Sequence, residues 1–211
     1  MIVAGAGSGK TRVLTYRIAH LIEQGEDPFQ ILALTFTNKA AGEMRERIEA
    51  LIGPRAKSLW MGTFHSVFAR ILRRHAELLG YPTNFTIYDA DDSKSLIKNI
   101  VRELDLDDAH YKASNLYARI SSAKNSMILV EEYAGDASLI AGDKAAGRPR
   151  FVEVYRTYVE RCHRSGAMDF DDLLLNIFKL LEQYPEVLNS YQVQFKHVLV
   201  DEFQDTNRVQ Y

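Results

Sequence analysis

Apolar residues recur along this chain with two different periods, and the alternation between those periods predicts most of its elements. Val13, Ile18, Leu21 and Ile22 fall at helical spacing, and Gly25 with Pro28 closes that helix. Ile31-Leu32-Ala33-Leu34 is instead a short continuous apolar run, which predicts a strand buried on both faces. Thr35-Phe36-Thr37-Asn38 leads into a helix over 39–51 that Gly53-Pro54 stops. Residues 58–61 predict another strand, followed by Gly62-Thr63-Phe64-His65-Ser66 and a helix running to Leu79-Gly80. At the front, Met1 to Ala4 reads as the end of a further buried strand. Three strand–loop–helix units in succession predict an α/β layer with parallel strands.

From about Tyr81 the pattern changes. Residues 85–88 predict a short extended piece, and Asp89 to Asp92 offer caps for a helix through Leu104 that Asp105 to Asp108 break. Leu116, Ile120 and Ala123 predict a second helix, 135–149 reads as a Gly- and Ala-rich loop, and 151–164 predicts a helix stopped at Gly166. No further strand–helix unit is predicted here. The region 82–166 therefore reads as a mainly helical insertion between a first part, 1–81, and a second, 167–211. An apolar helix follows Asp169-Phe170-Asp171-Asp172, then a helix around Val187, Leu188 and Tyr191, then an apolar strand, His197-Val198-Leu199-Val200.

Composition narrows the classes. The chain has 211 residues, 46% of them hydrophobic, enough for one or two domains with a real core. A net charge of −2 supplies no global basic field, so any nucleic-acid contact must come from local patches. One cysteine, Cys162, excludes an internal disulfide framework and fits a reducing compartment. No apolar run approaches about 18 residues, and the start is not patterned as a signal peptide, so a cytoplasmic protein without a membrane partner is expected.

The candidate chemistry begins at Ala4-Gly5-Ala6-Gly7-Ser8-Gly9-Lys10-Thr11. Glycines there let successive N–H groups point into one concavity, and a helix beginning at its end adds unpaired N–H groups suited to phosphate. This is a phosphate-binding loop of the Walker A kind, with alanine at position 4 where the regular pattern has glycine. Lys10 can reach terminal phosphates, the Thr11 hydroxyl can hold magnesium, and Arg12 directly follows, so residues 4–12 form the expected ATP-binding set. Its partner is Asp201-Glu202 at the end of an apolar strand. Asp201 can hold the Mg2+ ion through its water shell, Glu202 can orient and deprotonate the attacking water, and Gln204 can sense the terminal phosphate.

In parallel sheets, ligands bind at the carboxyl ends of the strands, which puts loops 5–9, 36–38 and 63–66 on one face. Phe36, Thr37, Asn38, Thr63, Phe64 and His65 then offer aromatic rings among small polar donors, suited to stacking on bases. Phe36 and Phe64 read equally as core residues at strand ends. Arg70, Arg73 and Arg74 form either a basic stripe for DNA or a solvated helix face. Asp169, Asp171 and Asp172 read as helix-starting carboxylates rather than a metal site.

Together these pieces resemble the UvrD/PcrA/Rep branch of superfamily 1 DNA helicases. Residues 4–11 are similar to motif I of that family, alanine included; 35–41 to motif Ia; 62–66 to the next DNA-contacting motif; and 201–207 to motif II, with Phe203 where tyrosine is usual. Residues 168–173 are similar to the segment by which the family's chain returns from its inserted domain. Asp201 lies 190 positions beyond Thr11, far more than one compact nucleotide-binding fold needs. The resemblance implies a RecA-like P-loop NTPase domain interrupted by a helical subdomain called 1B. It also implies ATP-driven 3′-to-5′ translocation on single-stranded DNA and action at a single/double-strand junction. It places the six loop residues along the DNA and Lys124-Asn125 against the duplex. It puts an adenine-reading glutamine before Met1, and a second RecA-like domain with its arginine fingers after Tyr211. The expectation is an N-terminal part of a helicase with an incomplete sheet, binding nucleotide weakly and not unwinding DNA alone. A P-loop kinase or GTPase-like hydrolase, and a non-catalytic DNA- or protein-binding module, are the competing readings.

Overall fold

The computed structural model describes residues 9–207 and residue 210, with the backbone alone of Lys10. The strand expected at Met1 to Ala4, the loop residues through Ser8 and the Lys10 side chain lie outside the described residues. The chain divides into two compact units, residues 1–70 with 181–206, and 71–180 with 207–211. No described helix is long and apolar enough to cross a membrane.

The first unit is α/β. A helix at Lys10–Glu23 (α1) is followed by a strand at Ile31–Thr35 (β1), a helix at Asn38–Ile52 (α2) and a strand at Trp60–Thr63 (β2). After a helix at Phe64–His75 (α3), the described residues of the unit add a strand at His197–Val200, numbered β5 in chain order. All pairings are parallel, in the order β2-β1-β5, with Leu34 registered against both Gly62 and Val200. The continuous apolar run behaves as expected, because every residue of β1 is buried. Ile31 and Ala33 join Ile18, Ile22, Met44, Ile48 and Ile52 in one cluster on the α1/α2 side of the sheet. Trp60 meets Phe29, Tyr191 and Phe195 edge-on, with centroids 6.3, 6.4 and 5.2 Å away. β5 is less enclosed, and Val198 is 57% exposed.

The boundaries of β2 correct the sequence reading. Residues 53–58 form 3-10 turns rather than leading into a strand at 58, and β2 runs to Thr63 with α3 beginning at once on Phe64. No loop separates them. Arg45 donates to the Met61 carbonyl at 3.1 Å, tying α2 to this strand.

The second unit is mainly helical. It contains a strand at Thr86–Tyr88 (β3) and helices at Ala90–Glu103 (α4), Ala113–Asn125 (α5), Val130–Gly135 (α6), Ala137–Ala145 (α7) and Phe151–Arg164 (α8). A strand at Ala167–Asp169 (β4) leads into a helix at Phe170–Gln183 (α9), and a helix at Pro185–Gln194 (α10) belongs to the first unit. Ile97, Ile100, Leu116, Ile120, Val154, Tyr155 and Tyr158 pack in one core. Asp89 caps α4 as expected, accepting from the Asp91 and Asp92 amides while the Asp92 carboxylate accepts from its own N–H. Asp105, with φ of 51°, ends that helix.

One expectation fails here. The loop read over 135–149 contains α7, started by the Asp136 side chain and held by Asp143, which is buried and accepts from the Tyr133 hydroxyl at 2.5 Å. The extended piece expected at 85–88 is β3, and it pairs in parallel with β4, Thr86 opposite Ala167. The three residues of β4 carry too little periodicity to announce their strand.

Candidate functional site

Parallel pairing of β1 with β5 brings the ends of two distant motifs side by side. The ladder continues one residue beyond β5, where the Asp201 amide donates to the Leu34 carbonyl at 2.9 Å. Asp201 is thereby seated at the carboxyl edge of the sheet, 5% exposed. Opposite it, α1 starts on Gly9, whose φ of 84° and ψ of 24° lie in the left-handed region that glycine enters without strain. That turn puts Thr11 in the first helical turn, and its hydroxyl donates to Asp201 Oδ2 at 3.0 Å. Thr15, which the motif reading overlooked, donates to the Thr11 carbonyl at 2.8 Å and is itself buried.

Glu202 takes φ of 51° and ψ of 45°, a conformation costing a non-glycine residue on the order of 1 kcal/mol. Its amide donates to Asp201 Oδ1 at 3.2 Å, so both oxygens of that carboxylate are engaged. The left-handed turn ends the strand, and Phe203–Asp205 follow as a 3-10 turn. Gln204 donates from Nε2 to Glu202 Oε2, which joins the two residues expected to handle water and the terminal phosphate. Among the described residues there is no group of three or more His, Cys, Asp or Glu placed to hold a metal ion. One hydroxyl and one carboxylate at hydrogen-bond distance are nevertheless a hard-oxygen donor set suited to Mg2+, which keeps several waters and takes phosphate oxygens. Arg12 is exposed, its guanidinium 5.5 Å from the Tyr16 ring centroid.

The six residues expected along DNA divide by environment. Thr37 and Asn38 are exposed, and the Thr37 hydroxyl caps α2 by accepting from the Ala40 amide at 3.1 Å. Phe36 and His65 are partly buried. Phe64 is 2% exposed, its ring 5.4 Å from that of Phe36 and 5.8 Å from that of Phe68. Thr63 is buried, and its hydroxyl accepts from the Ser66 amide at 3.2 Å. Two arginines of the basic stripe lie on rings, Arg70 at 3.8 Å from the Trp60 centroid and Arg73 at 4.8 Å from that of Phe85.

The second unit holds a buried charge cluster. Lys124 is 1% exposed and donates to Asp169 at 2.6 Å and Asp172 at 2.7 Å, so it is not a surface contact for a duplex. Burial alone would lower the Lys124 pKa, but the carboxylates of Asp172 and Asp169 raise it. Burial holds the Asp172 carboxyl at about 6, against the pull of the ammonium. Asp169 and Asp172 also accept each other's backbone amides at 2.8 and 3.1 Å, the structural role expected of them. The signal for Lys124 was present in the sequence, since it lies on the buried side marked by Leu116 and Ile120.

The described residues thus define an α/β protein whose parallel sheet joins, at its carboxyl edge, a hydroxyl and a carboxylate from motifs 190 residues apart. The chain belongs to the family described as UvrD/REP helicase N-terminal domain, which matches residues 1–211. The resemblance read from the motifs holds at the level of the family. The chain is 46% identical over 215 residues to the ATP-dependent DNA helicase PcrA of Bacillus subtilis (strain 168), covering 100% of this chain and 28% of that protein. To the ATP-dependent DNA helicase PcrA of Staphylococcus aureus (strain COL) it is 44% identical over 212 residues, with the same coverage of 100% and 28%. The chain therefore spans 28% of the length of these curated relatives.

Proposed function

We propose that this chain carries the ATP-binding and DNA-engaging part of a 3′-to-5′ DNA helicase motor. The observation that supports it most is the Thr11–Asp201 hydrogen bond, which joins the residue after the phosphate-loop lysine to the first carboxylate of the acidic pair. In this reading residues 4–12 hold ATP, with Lys10 at its terminal phosphates, while Thr11 and Asp201 hold Mg2+. The metal supplies neutralisation of phosphate charge. Glu202 orients and deprotonates the attacking water, and Gln204, bonded to it, senses the terminal phosphate.

A RecA-like domain is proposed over 1–81 and 167–211, with the inserted subdomain at 82–166. The parallel sheet of the first unit and the helical content of the second support this reading, although the compact units divide within α3 and α9. Phe36, Thr37, Asn38, Thr63, Phe64 and His65 are proposed to line single-stranded DNA. Thr37 and Asn38 present polar groups outward there, and Phe64 supports the Phe36 ring from the core. Productive turnover and unwinding at a junction are proposed to require the arginines and second RecA-like domain that the resemblance places in the rest of the helicase.

The test is nucleotide binding and hydrolysis by the 211-residue chain, with and without single-stranded oligonucleotide, beside a Lys10→Ala control. The expected result is Mg2+-dependent ATP binding that the control loses, without DNA-stimulated turnover. Binding unaffected by Lys10→Ala, or no binding at any Mg2+ concentration, overturns the assignment. Robust DNA-stimulated turnover refutes the dependence on further domains.

A further inference from the structure

Within the first unit, strands β1 and β2 end level with one another, Thr35 opposite Thr63, so the first residues past the sheet are Phe36 and Phe64. Their ring centroids lie 5.4 Å apart, with the planes tilted by 53°. No loop intervenes after β2, because α3 begins on Phe64 directly after Thr63. The direction in which α3 leaves the strand therefore sets where Phe64 stands, and with it the support of the Phe36 ring. That direction is fixed by whatever holds the peptide of Thr63.

Ser66 holds it twice. Its amide donates to the Thr63 hydroxyl at 3.2 Å, the usual cap of a helix start, and its own hydroxyl donates back to the Thr63 carbonyl at 2.9 Å. In doing so the hydroxyl occupies the space where a side chain at position 62 would stand. A Cβ built on Gly62 would lie 2.4 Å from Ser66 Oγ, closer than non-bonded carbon and oxygen approach, but 3.7 Å from Ser66 Cβ, an ordinary contact. Gly62 is buried in β2 and its backbone is not in the left-handed region. Space for a close approach, rather than backbone freedom, is what the glycine supplies.

We propose that Gly62 and Ser66 are a pair of positioning residues for the DNA-engaging edge of the sheet. The missing side chain at 62 admits the Ser66 hydroxyl to the Thr63 carbonyl, and that bond sets the first turn of α3. The turn in turn places His65 and, through Phe64, the Phe36 ring. Neither Gly62 nor Ser66 is assigned a contact with DNA. The consequence for DNA rests on the function proposed above; the clamp itself does not.

The shared bond supplies a specific test. Gly62→Ala pushes the Ser66 hydroxyl off the carbonyl, and Ser66→Ala removes the hydroxyl outright. The double variant G62A/S66A loses that same bond only once, and its Cβ atoms meet at the tolerated 3.7 Å. Fluorescence anisotropy of a single-stranded oligonucleotide and amide hydrogen exchange at positions 64–67 are measured on the 211-residue chain, with thermal unfolding to show that each variant is folded. Each single variant is expected to speed exchange there and to weaken oligonucleotide binding about fivefold, the scale of one net hydrogen bond. The double variant is expected to bind no more weakly than S66A, because the two losses are one loss. Losses that multiply in the double variant, or exchange unchanged in both single variants, overturn the proposal. Weakened binding in S66A with unchanged exchange assigns the hydroxyl to direct contact with DNA and overturns it as well. Binding equal to the parent in all three variants confines the pair to the fold and overturns the positioning role. If exchange follows the expected pattern while the parent binds no oligonucleotide, the clamp stands and the DNA assignment alone fails.

Discussion

The Thr11 hydroxyl and the Asp201 carboxylate meet at 3.0 Å although 190 residues separate them, and everything proposed about catalysis is built around that contact. Thr11→Ala and Asp201→Asn each remove one of the two hard oxygen donors. Both are expected to weaken Mg2+-dependent nucleotide binding at least tenfold while nucleotide binding without metal changes little. A magnesium titration followed by a fluorescent ATP analogue measures this, and an unchanged Mg2+ dependence in both variants excludes the pair as the metal site.

Lys124 serves the fold. Replacing it with methionine leaves Asp169 and Asp172 as buried carboxylates without their cation, at an expected cost of about 3–5 kcal/mol. The triple variant K124M/D169N/D172N is expected to recover part of that loss, because no unpaired charge remains. Urea unfolding distinguishes the two; a loss under about 1 kcal/mol in Lys124→Met would show the cluster to be dispensable.

The same cluster sets a pH dependence. Burial raises the Asp172 carboxyl from 3.8 to about 6, so the folded chain binds that proton more tightly than the unfolded one. Its contribution to stability is therefore greatest below 3.8, falls as pH rises to about 6 and is level above. The melting temperature of the parent relative to Asp172→Asn is expected to fall across that window. A difference independent of pH would count against it.

Thr37 and Asn38 are neighbours with separable roles. Thr37→Ala removes the cap of α2 and is expected to cost about 1 kcal/mol, regained in Thr37→Ser. Asn38→Ala removes an exposed side chain, leaving stability unchanged while weakening binding of single-stranded oligonucleotide several-fold. Denaturation curves and fluorescence anisotropy at two salt concentrations separate these effects.

Phe64 carries its weight in the core. Truncation to alanine is expected to cost about 3–5 kcal/mol, because the ring is buried between Phe36 and Phe68. Any loss of DNA binding in that variant must be read against its unfolding curve. Wild-type stability in Phe64→Ala would place the ring outside the core.

Long periodic stretches were legible one residue at a time. Leu32 and Leu34 alternate with Ile31 and Ala33 across β1 as a doubly buried strand requires, and Asp89 caps α4 where its spacing to Asp92 put it. Short elements were legible only in part. The extended piece at 85–88 was read, but its pairing with the three-residue β4 about 80 residues on was not, and α7 lies in a segment whose alanines and glycines resemble a loop. The basic stripe on α3 illustrates a different limit, since charge in a sequence does not reveal that Arg70 and Arg73 lie over Trp60 and Phe85.

By itself the sequence determined the local chemistry: which runs are strands or helices, which residues cap them, and which motifs bear hydroxyl, carboxylate and phosphate-seeking groups. Those properties depend on neighbours within a turn or two of backbone, so spacing records them. Only the tertiary structure decided which carboxylates Lys124 pairs with inside the second unit and that Phe64 faces the core. Each of these depends on partners 28 to 48 residues away in the chain, brought close by parallel pairing and helix packing. Contact at that separation leaves no periodic trace in a single sequence.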